Sequence, residues 1–210
     1  MLTPATNTVI GIDFDNTLIS YDEVFFNHAL SLNLIGPGAV QNKKEVRDKI
    51  RRLADGETTW QKVQAYVYSQ GIIQASFNEG AGNFIKACVR QGIKVYVVSH
   101  KTEYSPFDAH RINLQQAALN WMSANHFFKA DGLGLERNQV YFEVTRLLKI
   151  ERLRSLGCTH FIDDLEEVFL EKTFPSGIEK ILFAPLAGPE VLNDMKVFKD
   201  WHKINEYFFS

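Results

Sequence analysis

Cysteine is scarce: among 210 residues only Cys88 and Cys158 occur. They show no paired spacing with each other or with histidines, which excludes a disulfide framework and a zinc-binding run. Each lies in or just before an apolar segment, so both are expected as small core residues of a reduced protein. Charge of one sign is also lacking. The net value is −2, which gives no general electrostatic reason to expect nucleic acid or an anionic membrane as partner. No apolar stretch is long enough to cross a bilayer, and no basic segment with an apolar run opens the chain. A soluble protein of the cytoplasm is the expectation. There is no internal repeat and no low-complexity run.

What is present begins with Val9-Ile10-Gly11-Ile12-Asp13-Phe14-Asp15-Asn16-Thr17-Leu18. It reads as a short buried strand, β-branched and apolar, that ends in two carboxylates. Asp13 and Asp15 stand two apart, so a continuing strand points both to one face. Burying them together costs several kcal/mol unless a cation or hydrogen bonds compensate. The bland alternative makes both of them turn residues bonded to local backbone. Asn16 suits a left-handed turn and Thr17 a helix cap.

Helical spacing then runs over Tyr21 to Leu34, Lys43 to Leu53 and a third helix capped at Thr58 or Thr59 that contains Trp60, Val63 and Val67. No strand pattern interrupts residues 20–76. An alternating rhythm follows: helix Glu79–Gln91, strand Ile93–Val98 and helix Ile112–Ala124. Short strand-like pieces at Phe127-Phe128 and Val140–Phe142 suggest a hairpin. Next come helix Thr145–Leu156, strand Thr159–Ile162, helix Leu165–Thr173, strand Ile178–Phe183 and a last helix from Pro189 to about Phe208. The pattern predicts an α/β, Rossmann-like three-layer sandwich with a parallel sheet. Residues 1–19 and 77–210 form its core, and 20–76 a helical cap inserted after the first strand.

Three strands thus end in reactive groups: Asp13 with Asp15, Ser99, and Asp163 with Asp164. In a parallel sheet these ends share one edge. Lys149, on the helix before the last acidic pair, can reach that edge. Hard oxygen ligands suit Mg²⁺, and a hydroxyl, an ammonium and Mg²⁺ around one point suit the oxygens of a transferring phosphoryl group.

These four segments, in this order, resemble the haloacid dehalogenase-like superfamily, most of whose members are Mg²⁺-dependent phosphatases that work through an aspartyl-phosphate. Asp13-Phe14-Asp15-Asn16-Thr17-Leu18 is similar to its first motif, Val97-Val98-Ser99 to the second, Lys149 to the third and Phe161-Ile162-Asp163-Asp164 to the fourth. The resemblance covers residues from about 8 to 20 and 78 to 185, and the helical stretch matches the family's small cap in position only. It implies Asp13 as nucleophile and Asp15 as general acid and base, with Lys149 neutralising charge and holding Asp13. It implies Mg²⁺ on the Asp13 and Asp163 carboxylates and the Asp15 backbone carbonyl, with Asp164 acting in the outer shell. It also implies that Ser99 binds the phosphoryl oxygens; Asn16 and His100 are candidate substrate contacts beside it. The implied partner is a small phosphorylated substrate; oligomeric state is not readable.

Some residues depart from that pattern or stand outside it. His100 and Lys101 after Ser99 are unusual there, either contacting substrate or simply solvated. Lys129 is a rival for the third motif. Glu166, Glu167, Arg47, Arg51 and Arg52 read as solvated helix faces, although the arginines suit an acidic substrate. His28 reads as a packing histidine. Carbon–halogen hydrolysis, phosphoryl transfer to a second substrate, a receiver-like module and a non-catalytic scaffold are the competing readings. Asp15 speaks against the first of these, and the order of acidic pair and lysine against the receiver.

Overall fold

The computed structural model describes residues 7–186 and 194–210. The chain divides into two compact units. The first holds the described residues of 1–19, 77–101 and 123–210, and the second holds 20–76 and 102–122.

The first unit is built on β1 (Val9–Ile12), β4 (Lys94–His100), β5 (Val140–Glu143), β6 (His160–Asp163), β7 (Glu179–Phe183) and β8 (Lys196–Phe198); the two-residue strands β2 (Ile19–Ser20) and β3 (Ser76–Phe77) pair apart from these. The six longer strands make one sheet in the order β5-β4-β1-β6-β7-β8. Every neighbouring pair with a resolved register is parallel. β1 is central because Ile10 and Ile12 are wholly buried, as a strand covered on both faces requires. Gly11 admits helix α6 (Arg146–Ser155): a Cβ there would lie 2.7 Å from Leu153 and 3.0 Å from Phe161. Val98, Ile150, Leu153, Cys158, Phe161, Val168 and Leu182 pack as one apolar cluster. Helices α4 (Ala81–Arg90), α7 (Glu166–Phe169) and α8 (Trp201–Phe209) complete the α/β, Rossmann-like architecture.

Three local expectations are corrected. Phe127 and Phe128 form no strand: Leu133 and Leu135 donate back to the carbonyls of His126 and Phe127, closing a turn. β5 therefore pairs in parallel with β4, with Val98 opposite Tyr141, and is no hairpin arm. The helix expected over 165–173 stops at Phe169, short of Pro175, which disfavours helix in the residue before it. Part of the helix expected from Pro189 lies outside the described residues. Within them, Lys196–Phe198 is a strand parallel to β7, and Asp200 caps α8 by accepting from the Lys203 amide at 2.8 Å.

The second unit holds α1 (Asp22–Ser31), α2 (Lys43–Arg51), α3 (Gly56–Tyr68) and, across its 102–122 part, most of α5 (Leu114–Ala124). Tyr21, Phe25, Trp60 and Tyr68 form its aromatic centre, with Phe25 stacked on Trp60 at 4.9 Å. His28 stacks on Tyr66 at 3.7 Å. Arg47 pairs with Asp48 and Arg51 with Glu57 on the surface. The segment 102–122, expected with the core, clusters instead with these helices, where the Trp121 indole donates to the Ala75 carbonyl at 3.0 Å. Among the described residues no helix is long and apolar enough to cross a membrane.

Candidate active site

Every residue of the candidate site belongs to the first unit. Ile12 is level with Val97 on one side and Ile162 on the other, so β1, β4 and β6 end together. Asp13 follows β1 directly, and its amide donates to the Ile162 carbonyl at 2.9 Å. Asp163 closes β6 and Ser99 lies near the end of β4. Parallel pairing alone brings these distant residues to one edge.

Lys149 organises the charges. It stands on the buried face of α6 with Ile150 and Leu153, and Thr145 caps that helix by accepting from the Leu148 amide. Its ammonium is 1% exposed and donates to Asp13 Oδ1 and Asp163 Oδ2, each at 2.6 Å. The Leu165 amide donates to Asp163 Oδ1. Asp13, Asp163 and Asp164 each place a carboxylate oxygen within 4.8 Å of the others. Three carboxylates, of which Lys149 meets only Asp13 and Asp163, leave negative charge to be met, and an all-oxygen donor set fits a hard divalent cation such as Mg²⁺. Burial pushes the Asp13 carboxyl up to about 7; Lys149 opposes this, and Asp163 and Asp15 reinforce it. Burial alone would lower Lys149, but Asp13 and Asp163 hold it above the usual lysine range.

The turn after β1 is shaped by Asn16, which takes the left-handed conformation at φ 63°. Thr17 caps no helix, since α1 begins only at Asp22. Its buried hydroxyl donates to Asp164 Oδ1 at 3.1 Å and accepts from the Asp164 amide at 3.0 Å. This fixes Asp164 beside Asp163.

Among the described residues Ser99 Oγ is the only buried side-chain polar atom without a hydrogen-bond partner. Such an orphan costs about 1–3 kcal/mol unless a ligand satisfies it. His100, by contrast, is not brought into the cluster. Its ring faces the Val144 carbonyl at 3.1 Å, and partial burial holds the imidazole below its usual range.

Lys101 has a partner in this site that its sequence position does not announce. It is not solvated: at 4% exposure it donates to Asp15 Oδ2 at 2.6 Å. The signal was available in strand alternation, since Val95, Val97, Ser99 and Lys101 are all buried and share one face. Asp15 thus turns its carboxylate to Lys101 and is not part of the three-carboxylate group. Lys129 is exposed, and Glu166 and Glu167 stand in the first turn of α7 outside that group.

No family model matches the sequence, and no curated protein matches it. Solved structures do. A haloacid dehalogenase-like hydrolase from Streptococcus pneumoniae superposes with a TM-score of 0.60 at 15% identity, over 96% of this chain and 98% of that one. A protein from Haemophilus somnus described as a predicted phosphoglycolate phosphatase gives 0.55 at 13%, over 97% and 99%. A family hydrolase from Deinococcus radiodurans, with bound phosphate and sodium, gives 0.51 at 13%, over 95% and 94%. Together with a parallel sheet whose central strand ends in Asp13, these near-complete superpositions establish that the chain has the haloacid dehalogenase-like fold.

Proposed function

We propose that the protein is a phosphoric monoester hydrolase, an Mg²⁺-dependent phosphatase acting on a small phosphorylated metabolite through an aspartyl-phosphate on Asp13. The observation that carries the reading is the buried Lys149 shared by Asp13 and Asp163, with Asp164 beside them. It matches the chemistry of bringing a carboxylate nucleophile against an anionic substrate. The unsatisfied Ser99 hydroxyl at the same sheet edge supports it. The similarity to a predicted phosphoglycolate phosphatase and to a phosphate-bound relative points the same way.

In this reading an Asp13 oxygen attacks phosphorus, and the bond from phosphorus to the leaving oxygen breaks. Lys149 keeps Asp13 oriented and offsets charge on the phosphoryl oxygens, while Ser99 donates to one of them. Asp15 gives a proton to the leaving oxygen. Water then attacks the phosphorus of the aspartyl-phosphate and loses a proton to Asp15, and Asp13 is released. The pair between Asp15 and Lys101 has to loosen when substrate enters. Bound at Asp13, Asp163, Asp164 and the Asp15 carbonyl, Mg²⁺ would supply further charge neutralisation. His100 and Asn16 are assigned to the substrate's periphery. The helical unit of 20–76 and 102–122 is assigned the role of a cap that selects the substrate, and 1–19 with 77–101 and 123–210 the catalytic core. The reduced, buried Cys88 and Cys158 fit a cytoplasmic protein. Carbon–halogen hydrolysis is disfavoured by Asp15, the second acidic residue of the first motif.

The test is a screen of phosphorylated metabolites for phosphate release with Mg²⁺ and with EDTA. Release that needs Mg²⁺ and Asp13 supports the reading. No release from any compound moves it to a non-catalytic relative.

A further inference from the structure

The turn that carries Asp15 is gripped from outside by two residues remote in sequence. The Asn78 amide donates to the Leu18 carbonyl at 2.9 Å. The Asn78 side-chain amide donates to the Asn16 carbonyl at 3.1 Å and to the Thr17 carbonyl at 2.8 Å. The Thr17 carbonyl takes a second bond, from Trp201 Nε1 at 3.1 Å. Trp201, the first residue of α8, is wholly buried, with Phe84 at 5.3 Å and Phe183 at 5.6 Å between ring centres. Gly80 makes room for this: its φ is +87°, and a Cβ there would lie 3.0 Å from the Trp201 Cβ.

An aromatic ring filling this space needs no N–H. Here the indole N–H is spent on a carbonyl that Asn78 already serves. Between those carbonyls lies Asn16 in its left-handed conformation, a sparsely populated state that persists when its surroundings over-determine it. The other side of the same turn presents the Thr17 hydroxyl to Asp164.

We propose that Asn78 and Trp201 are positioning residues for the cation-binding edge. By holding the carbonyls of Asn16, Thr17 and Leu18 they keep Thr17 Oγ1 on Asp164 and the Asp15 carbonyl in place. The inference rests on the reading of Asp13, Asp163 and Asp164 as the Mg²⁺ site and names residues that act on it without touching it. Outer partners of metal ligands typically influence affinity by 10–100-fold.

The test compares the parent with Trp201→Phe, Asn78→Ala and Thr17→Val. Mg²⁺ affinity is read by calorimetry without substrate, and unfolding is read in EDTA. Trp201→Phe keeps the ring and should unfold in EDTA within about 4 °C of the parent, as the loss of one hydrogen bond allows. Its Mg²⁺ dissociation constant should rise about tenfold, as should that of Asn78→Ala. Adding Trp201→Phe to Thr17→Val should bring less further loss than in the parent, because both act through one contact. Parental Mg²⁺ affinity in both Trp201→Phe and Asn78→Ala overturns the proposal, whatever their melting temperatures. If Trp201→Phe does not fold, Asn78→Ala decides alone. If the parent binds no Mg²⁺, the site reading itself fails and this proposal falls with it.

Discussion

Asp15 and Lys101 are paired at 2.6 Å but are buried to different extents, their side chains being 17% and 3% exposed. That difference predicts unequal effects of removing either partner. In Asp15→Asn the Lys101 ammonium, whose side chain is 3% exposed, loses the carboxylate it meets at 2.6 Å. Breaking a buried pair this way costs about 3–5 kcal/mol, and the partial exposure of Asp15 argues for about 3. For a chain of this size that lowers the melting temperature by roughly 6–12 °C. In Lys101→Met the carboxylate left behind is the better solvated partner, and the apolar stem is retained, so the loss should be about half as large. The double variant Asp15→Asn/Lys101→Met should recover most of the loss of Asp15→Asn, because no charge is stranded. Thermal unfolding in EDTA reads all four proteins without interference from metal. If Asp15→Asn is no less stable than Lys101→Met, or the double variant recovers nothing, the pair is not the interaction argued here.

Ser99→Ala should separate stability from activity: it removes an unsatisfied buried hydroxyl, so the protein gains up to about 1 kcal/mol in chemical denaturation, while phosphate release falls about 10²–10³-fold. Asp13→Asn should abolish phosphate release with Mg²⁺ saturating, and a variant that still turned over would remove Asp13 as nucleophile. Asp15→Asn should give a burst of nitrophenolate from nitrophenyl phosphate followed by slow turnover, since the phenolate needs no proton but hydrolysis of the aspartyl-phosphate does. The raised Asp13 carboxyl also sets a pH dependence. Protonation favours the folded state, so its contribution is full below 3.8 and is lost as pH rises through about 7. The metal-free protein should therefore lose at most about 4 kcal/mol from this group across that window. Stabilisation by Mg²⁺ should be greater at pH 8 than at pH 5, and melting curves at the two pH values check it.

Much of this was legible in the chain. Short apolar runs ending in acids mark β1 and β6, and a parallel α/β pattern by itself puts the strand ends with Ser99, Asp13 and Asp163 on one edge. Lys149 could be chosen over Lys129 by its place before Asp163. Other features depend on tertiary pairing. Val197 and Phe198 sit in a stretch that reads as helix, yet they take strand form because β7 offers an unpaired edge and Ala184 donates to the Phe198 carbonyl. Residues 102–122 follow the sheet in sequence but are tied to the helical unit through Trp121. Lys101 stays open between substrate and solvent in the sequence because a lysine after a strand is usually solvated; alternation with Ser99 outweighs that prior here. Asn78 and Trp201 carry no motif, and their targets are backbone carbonyls that any sequence would supply.

The bond from Trp201 to Thr17 also has a consequence in time. It joins residues 184 positions apart, and the indole cannot arrive until the ribosome has released the stretch that contains it. A growing chain can already pair β1 with β4 and bring up Lys149, and so assemble most of its carboxylates early. The turn that aims them is completed only when the indole docks. If the turn is set as proposed, a nascent chain should pass through a folded but poorly loaded stage. Its affinity for the cation would then reach full strength only after the last helix is in place.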